Sequence, residues 1–112
     1  MAAASGTRLD ANIEQIGSRP SGETPADSPV VRTVVAASRA LGIGTKLDCS
    51  STDSNIPISL GIPALTLGSG GTSANIHSLA EWYDLSNREL GLRRTVLVLA
   101  ALAGLADGSR PE

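Results

Sequence analysis

The sequence predicts an α/β fold, and three observations predict it. An apolar stripe at helical spacing follows Pro29, a compact apolar run occupies Ile62 to Leu67, and a second helical stripe runs from Leu92 to Ala103. Helical stripes alternating with short apolar runs are the pattern of a sheet flanked by helices. At 112 residues the chain has the length of one domain. A folded chain of this size buries roughly 65% of its unfolded surface. The only aromatic residues are the adjacent Trp82 and Tyr83, so the core rests on Val, Ile, Leu and Ala.

Residues 1–8 are expected to be a loose end. Leu9, Ala11 and Ile13 then alternate with Asp10, Asn12 and Glu14, the period of a strand with one buried face. The turn-rich Gly17 to Gly22 stretch stops it. Pro29 suits the first turn of a helix, with Asp27 or Ser28 as cap. Val30, Val34, Ala37 and Leu41 fall on one face of that helix, widened by Val31 and Val35, and Gly42 or Gly44 ends it. Thr45 to Ser50 reads as a short strand with Leu47 and Cys49 on one side. Pro57 fits the first turn of a short helix that Gly61 closes. Ile62 to Leu67 fits a strand buried on both faces. Gly68 to Ser78 is a glycine- and serine-rich loop. In the last helix Leu92, Val96, Leu99 and Ala103 form a stripe, and Leu97, Val98, Leu102 and Leu105 make it apolar nearly all round, so it should be largely buried. The end from Asp107 is polar.

Composition excludes several classes of function. A net charge of −2 argues against non-specific nucleic-acid binding, which needs a basic surface. The single cysteine, Cys49, excludes a disulfide framework and any multi-cysteine metal cluster. Met1 to Gly6 lacks the features of a secretory signal. The longest apolar run, Val96 to Ala106, is too short for a bilayer, which takes about 20 residues. A cytoplasmic location with no membrane partner is the expectation.

Few generic motifs carry chemistry. Gly68 to Ser73 follows an apolar run as a phosphate loop would, but it lacks the lysine and the full glycine spacing of nucleotide-binding loops. There is no Gly-x-Ser-x-Gly elbow. Cys49 and His77 are a conceivable thiol–imidazole pair, although a lone cysteine on a strand is more often packing. His77, the only histidine, reads either as an exposed loop residue or as a metal ligand, since neutral imidazole suits zinc. The Ser51-Thr52-Asp53-Ser54-Asn55 cluster reads either as a helix cap or as a ligand site at a strand end.

Two stretches taken together point further. Ser51 to Pro57 with Leu60 to Ala64, then Gly70-Gly71 and His77-Ser78-Leu79-Ala80-Glu81-Trp82-Tyr83-Asp84, resemble the closing segment of a metallopeptidase family. It is the co-catalytic zinc family that includes peptidase T, glutamate carboxypeptidase, acetylornithine deacetylase and succinyl-diaminopimelate desuccinylase. Ile16 to Glu23 and the helix after Pro29 are similar to that family's return from its lid domain. The resemblance extends from about Leu9 to Leu105.

The resemblance implies a helix-flanked mixed sheet, the C-terminal part of a zinc-peptidase catalytic domain, preceded by one strand of the lid domain. Residues 9–22 would be the last lid or dimerisation strand and linker, 23–106 the catalytic part and 107–112 a tail. It implies that His77 ligates one of two zinc ions. Ser51, Thr52, Asp53 and Asn55 would line the substrate pocket, and the backbone at Gly70 and Gly71 would approach the carboxylate end of the substrate. Glu81 and Trp82 would position the His77 loop. The substrate would be a small peptide or an N-acyl amino acid, its amide bond hydrolysed by a metal-activated water.

The rest of that machinery is absent. The chain has no second histidine and no Glu-Glu pair, whereas a catalytic zinc takes about three protein ligands. The chain alone is therefore expected to be inactive and to bind zinc poorly. It reads as a di- or tripeptidase-like fragment awaiting an upstream segment, or a deacylase fragment. A second reading is a non-catalytic module that pairs with another chain, in a homodimer or a complex. A third, weaker reading is a thiol hydrolase built on Cys49 and His77.

Overall fold

Ser28 and Pro29 start the first helix, and the proline, without an amide proton, takes a position where none is needed. In this computed structural model, which describes residues 10–105 together with Gly6, Gly108 and Ser109, helix α1 spans Pro29–Ala40. Leu41 closes it, and Gly42 follows with a φ of 70°, a left-handed conformation that glycine adopts at little cost. Helix α2 is the short Asn55–Ser59 turn, followed by Gly61 at a φ of 76°. Strands β1 (Thr72–Ala74) and β2 (Trp82–Asp84) form an antiparallel pair, with Ser73 opposite Tyr83. Helix α3 runs from Arg88 to Ala103.

The core lies where α1 meets α3. Val34 and Ala37 of α1 pack with Val98 of α3, and Leu65, Leu67 and Leu97 close around them. Leu65 and Leu67 alternate with Thr66, whose hydroxyl faces Thr52 and Ser54 instead. The Ile62–Leu67 run thus has a strand's division of side chains, but it belongs to no sheet. The strand expected there, buried on both faces, is not formed. No backbone ladder reaches this run among the described residues, and Ile62 is exposed.

The same reason overturns two other expected strands. Thr45 to Ser50 joins no sheet, and Leu47 and Cys49 are exposed rather than packed. Residues 10–16 carry no strand, and Ile13 and Ile16 are 93% and 95% exposed; Leu9 lies outside the described residues. A strand exists only through a neighbour that takes its hydrogen bonds. Conversely, the sheet that does form was read as loop and flank in the sequence. Its three-residue strands are too short to show a period.

Helix α3 is placed as expected but faces the other way. Gly91 and Val98 are its buried residues, with Arg94 and Ala101 half-buried beside them. The stripe expected to be buried is exposed, at 55% for Leu92, 67% for Val96 and 61% for Leu99. A helix apolar all round has two faces to cover, and α1 covers one.

The accessible surface of 9359 Å² compares with about 5800 Å² for a compact protein of this mass. The Cα radius of gyration is 21.5 Å, against about 13 Å for a compact domain of this length. The 65% burial expected from length is not reached, and apolar segments such as Ile62–Leu67 and the Leu92, Val96, Leu99 face of α3 lack facing elements among the described residues. No helix among the described residues is long and apolar enough to cross a membrane.

Candidate functional site

Two pieces of structure carry the residues singled out in the sequence. The first is the turn entering α2. Asn55 organises it with its whole side chain. Its Oδ1 accepts the Thr52 amide at 2.9 Å, while Nδ2 donates to the Pro20 carbonyl at 3.0 Å and to Ser51 Oγ at 3.4 Å. Thr52 Oγ1 accepts the Ser54 amide at 3.2 Å. The Thr52 and Ser54 hydroxyls both meet Thr66 Oγ1, each at 2.7 Å.

The helix-start reading and the pocket reading therefore divide among these residues. Ser54 occupies the cap position without a side-chain cap bond. Thr52 and Asn55 spend their polar atoms on the turn and on the segments beside it, at Thr66 and Pro20. Asp53 is exposed and has no hydrogen bond among the described residues, and Ser51 is exposed at the turn's edge. Arg19 reaches Ser51 Oγ from the preceding linker at 3.4 Å. Sequence reading passed over Arg19 as a site residue, because nothing local announces a contact across 32 positions.

The second piece is the β1–β2 hairpin, whose connection, 75–81, carries His77 near its tip. Asn75 and His77 take left-handed backbone, at φ of 58° and 66°, a conformation that both residue types tolerate better than most. Local bonds hold this shape. The Asn75 carbonyl accepts the Ser78 amide at 3.1 Å and its hydroxyl at 2.7 Å. Asn75 Nδ2 donates to the Ala80 carbonyl at 3.2 Å, and the Ser78 carbonyl accepts the Glu81 amide at 3.2 Å. Glu81 thus contributes its backbone to the loop, and Trp82 contributes its place in β2 opposite Ala74. The His77 imidazole is exposed and has no hydrogen bond among the described residues.

Gly70 and Gly71 lead into the hairpin, at φ of 86° and 75°. A side chain on Gly71 would collide with the Asp84 carbonyl and the Tyr83 ring. The Tyr83 hydroxyl donates to the Gly70 carbonyl and lies 3.4 Å from Ser69 Oγ. Arg94 Nη2 reaches the Gly68 carbonyl at 2.5 Å. The close approach these glycines permit is thus to the chain itself, and Tyr83 and Arg94 are the anchors that sequence reading did not identify.

At the end of the hairpin, Asp84 Oδ1 accepts the Ser86 amide at 2.8 Å and the Ser86 hydroxyl at 2.7 Å. These two bonds, the backbone one first, hold its carboxyl below the ordinary aspartate range. A lowered pKa means that the turn's stabilisation is complete above the ordinary aspartate range and fades as pH falls through the lowered value. The Ser86 amide resonance is expected to titrate with a midpoint below that of an exposed aspartate. A midpoint at or above the ordinary value would contradict the two-bond turn.

Helix α2 packs against neither strand of the hairpin. Among the described residues no group of three or more His, Cys, Asp and Glu side chains gathers to hold a metal ion. His77 therefore does not form a zinc site with the other described residues. Cys49 and His77 share no hydrogen bond among the described residues, so the thiol reading gains no support. Two open grooves border α1, one lined by Val35, Arg39 and Ile43 and the other by Ala26 and Arg32. Neither includes a residue of the turn or the hairpin. No protein-family model matches this chain, and a search of curated proteins returned no significant relative.

Proposed function

We propose that this chain is the closing part of a zinc-dependent hydrolase that cleaves amide bonds of small peptides, with His77 as one metal ligand and the Ser51–Asn55 turn beside the substrate. The observation that supports it most is the hairpin. The segment resembling the family's closing metal-ligand motif shapes its loop with the local bonds of Asn75 and Ser78 and leaves the only histidine exposed near its tip, with no hydrogen-bond partner among the described residues. An imidazole presented this way is free to ligate a metal whose other ligands come from elsewhere.

The unmet demands of the fold agree with this reading. The Ile62–Leu67 run lacks a ladder, and the outer face of α3 lacks a cover. Both are what a catalytic domain would supply through neighbouring strands and a further helix layer. The described residues do not assemble a zinc site by themselves, so the remaining ligands of this reading would come from elsewhere. An N-acyl amino acid is an alternative substrate with the same scissile amide. A cytoplasmic setting, without nucleic acid or membrane partner, goes with this reading.

The exposed face of Leu92, Val96 and Leu99 also favours a second reading, a non-catalytic module that pairs with another chain. The test that separates the two is the denatured intact mass of the natural product, followed by a dipeptidase assay with and without a chelator. A mass several times that of this chain, with chelator-sensitive hydrolysis restored by zinc, is the expected result. A natural product of this chain's own mass that co-purifies as a zinc-free dimer or complex would overturn the hydrolase reading in favour of the module.

A further inference from the structure

The side of α1 turned away from the core carries two arginines that the fold does not use. Arg32 and Arg39 are exposed and stand about two helical turns apart, with the half-buried Val35 between them. The two grooves that border α1 share Val35 and Arg39, so they run on from one another, from Ala26 at one end to Ile43 at the other. Neither guanidinium has a hydrogen bond or an ion pair among the described residues. The joined groove therefore offers apolar side chains, Val35 and Ile43, beside unmatched positive charge.

Residues 10–16 have the complementary character. All of them are exposed, Ile16 at 95%, and Glu14 has no hydrogen bond or ion pair among the described residues. In an extended segment Glu14 and Ile16 point to the same side, about 6.6 Å apart. Along α1, Val35 and Arg39 are about 6 Å apart. A carboxylate and a branched apolar side chain thus match a guanidinium and an apolar side chain at the same spacing. The segment is directed away from the groove of its own chain. Asn55 Nδ2 holds the Pro20 carbonyl at 3.0 Å, and Thr24 exchanges hydrogen bonds with the Ala64 backbone. Residues 10–16 therefore leave the body beside α2, which makes no packing contact with α1.

We propose that two copies of this chain exchange these segments, residues 10–16 of each lying in the α1 groove of the other, with Glu14 on Arg39 and Ile16 against Val35. This rests on the reading of the chain as a module that pairs, and it names the partner and the surface. Exchange of a short segment is a low-cost route to a dimer, because each copy carries both halves of a contact that it does not make within itself. Arg32 extends the positive charge along the groove. Ile13 points to the opposite side of the extended segment and stays outside the contact.

Sedimentation of the 112-residue chain over a range of concentrations up to about 1 mM reads the exchange. Two short contacts make a small interface, so a reversible dimer with a Kd on the order of 100 μM is expected. Glu14→Arg and Arg39→Glu should each weaken it at least about tenfold, because each sets like charges against one another. Both positions are exposed, so the circular dichroism of the variants should match the parent. An equal mixture of the two variants should dimerise again. In the mixed dimer one contact has both charges reversed and the other keeps the original pair. Ile16→Ser should weaken the dimer and Ile13→Ser should not. A monomer at every concentration, a dimer indifferent to both reversals, or no recovery on mixing would overturn the exchange. A dimer that survives the reversals but is lost in Leu99→Glu would sink the exchange alone, and pairing through α3 would stand.

Discussion

In the zinc-dependent hydrolase proposed above, replacing His77 by alanine is expected to abolish dipeptide cleavage, with metal affinity falling by more than about 100-fold. That figure is the upper end of the loss seen when only a supporting partner of a metal ligand is removed, and a ligand itself should cost more. The side chain is exposed near the end of a self-contained hairpin loop, so its removal should leave the loop folded. Alanine is less at ease than histidine at a φ of 66°, so a second variant, His77→Asn, keeps the backbone preference and removes the imidazole. Metal content by elemental analysis, alongside kcat and KM, reads the result. Full activity with bound zinc in both variants would end the assignment of His77 as a ligand.

The second large effect concerns Gly91, where helix propensity and packing predict opposite signs. In an exposed helix, glycine to alanine stabilises by about 1 kcal/mol. Here a Cβ at position 91 would collide with the Ser69 carbonyl and the Gly70 amide, both backbone atoms that have little room to yield. Gly91→Ala is therefore expected to destabilise the chain by about 1–3 kcal/mol, the usual range for overpacking. The damage should reach the hairpin, because the same stretch holds the Gly68 carbonyl for Arg94 and the Gly70 carbonyl for Tyr83. Gly44→Ala is the control, since nothing lies within 4 Å of its added Cβ. Thermal unfolding followed by circular dichroism compares the two. A Gly91→Ala midpoint equal to or above that of the parent would mean that α3 does not dock closely on the loop.

The helices were legible where the chain carries its own start and stop signals. Pro29 and Gly42 bracket α1, and Gly61 follows α2, because proline geometry and glycine's left-handed backbone are local properties. The three expected strands were illegible in a different sense. Alternation at Leu9–Glu14 and the apolar run at Ile62–Leu67 are tendencies that need a partner's hydrogen bonds to become structure. The hairpin escaped notice for the opposite reason. Thr72–Ala74 and Trp82–Asp84 carry little pattern of their own and are joined by each other and by the bonds of Asn75 and Ser78.

The candidate site divides along the same line. His77 stood out as the only histidine, and the Ser51–Asn55 cluster stood out by composition. That Asn55 ties the turn to the linker, and that the Thr52 and Ser54 hydroxyls meet on one threonine, is decided by contacts with Pro20 and Thr66, residues remote in the chain.

Residue types and spacing alone settle which segments are helical and that the core is aliphatic. The face of α3 that turns inward was left to tertiary structure. From Val96 onward that helix is apolar nearly all round, so hydrophobicity does not choose among its faces. The choice falls to shape, and only the face bearing Gly91 is low enough to let the Ser69–Gly70 backbone lie against it.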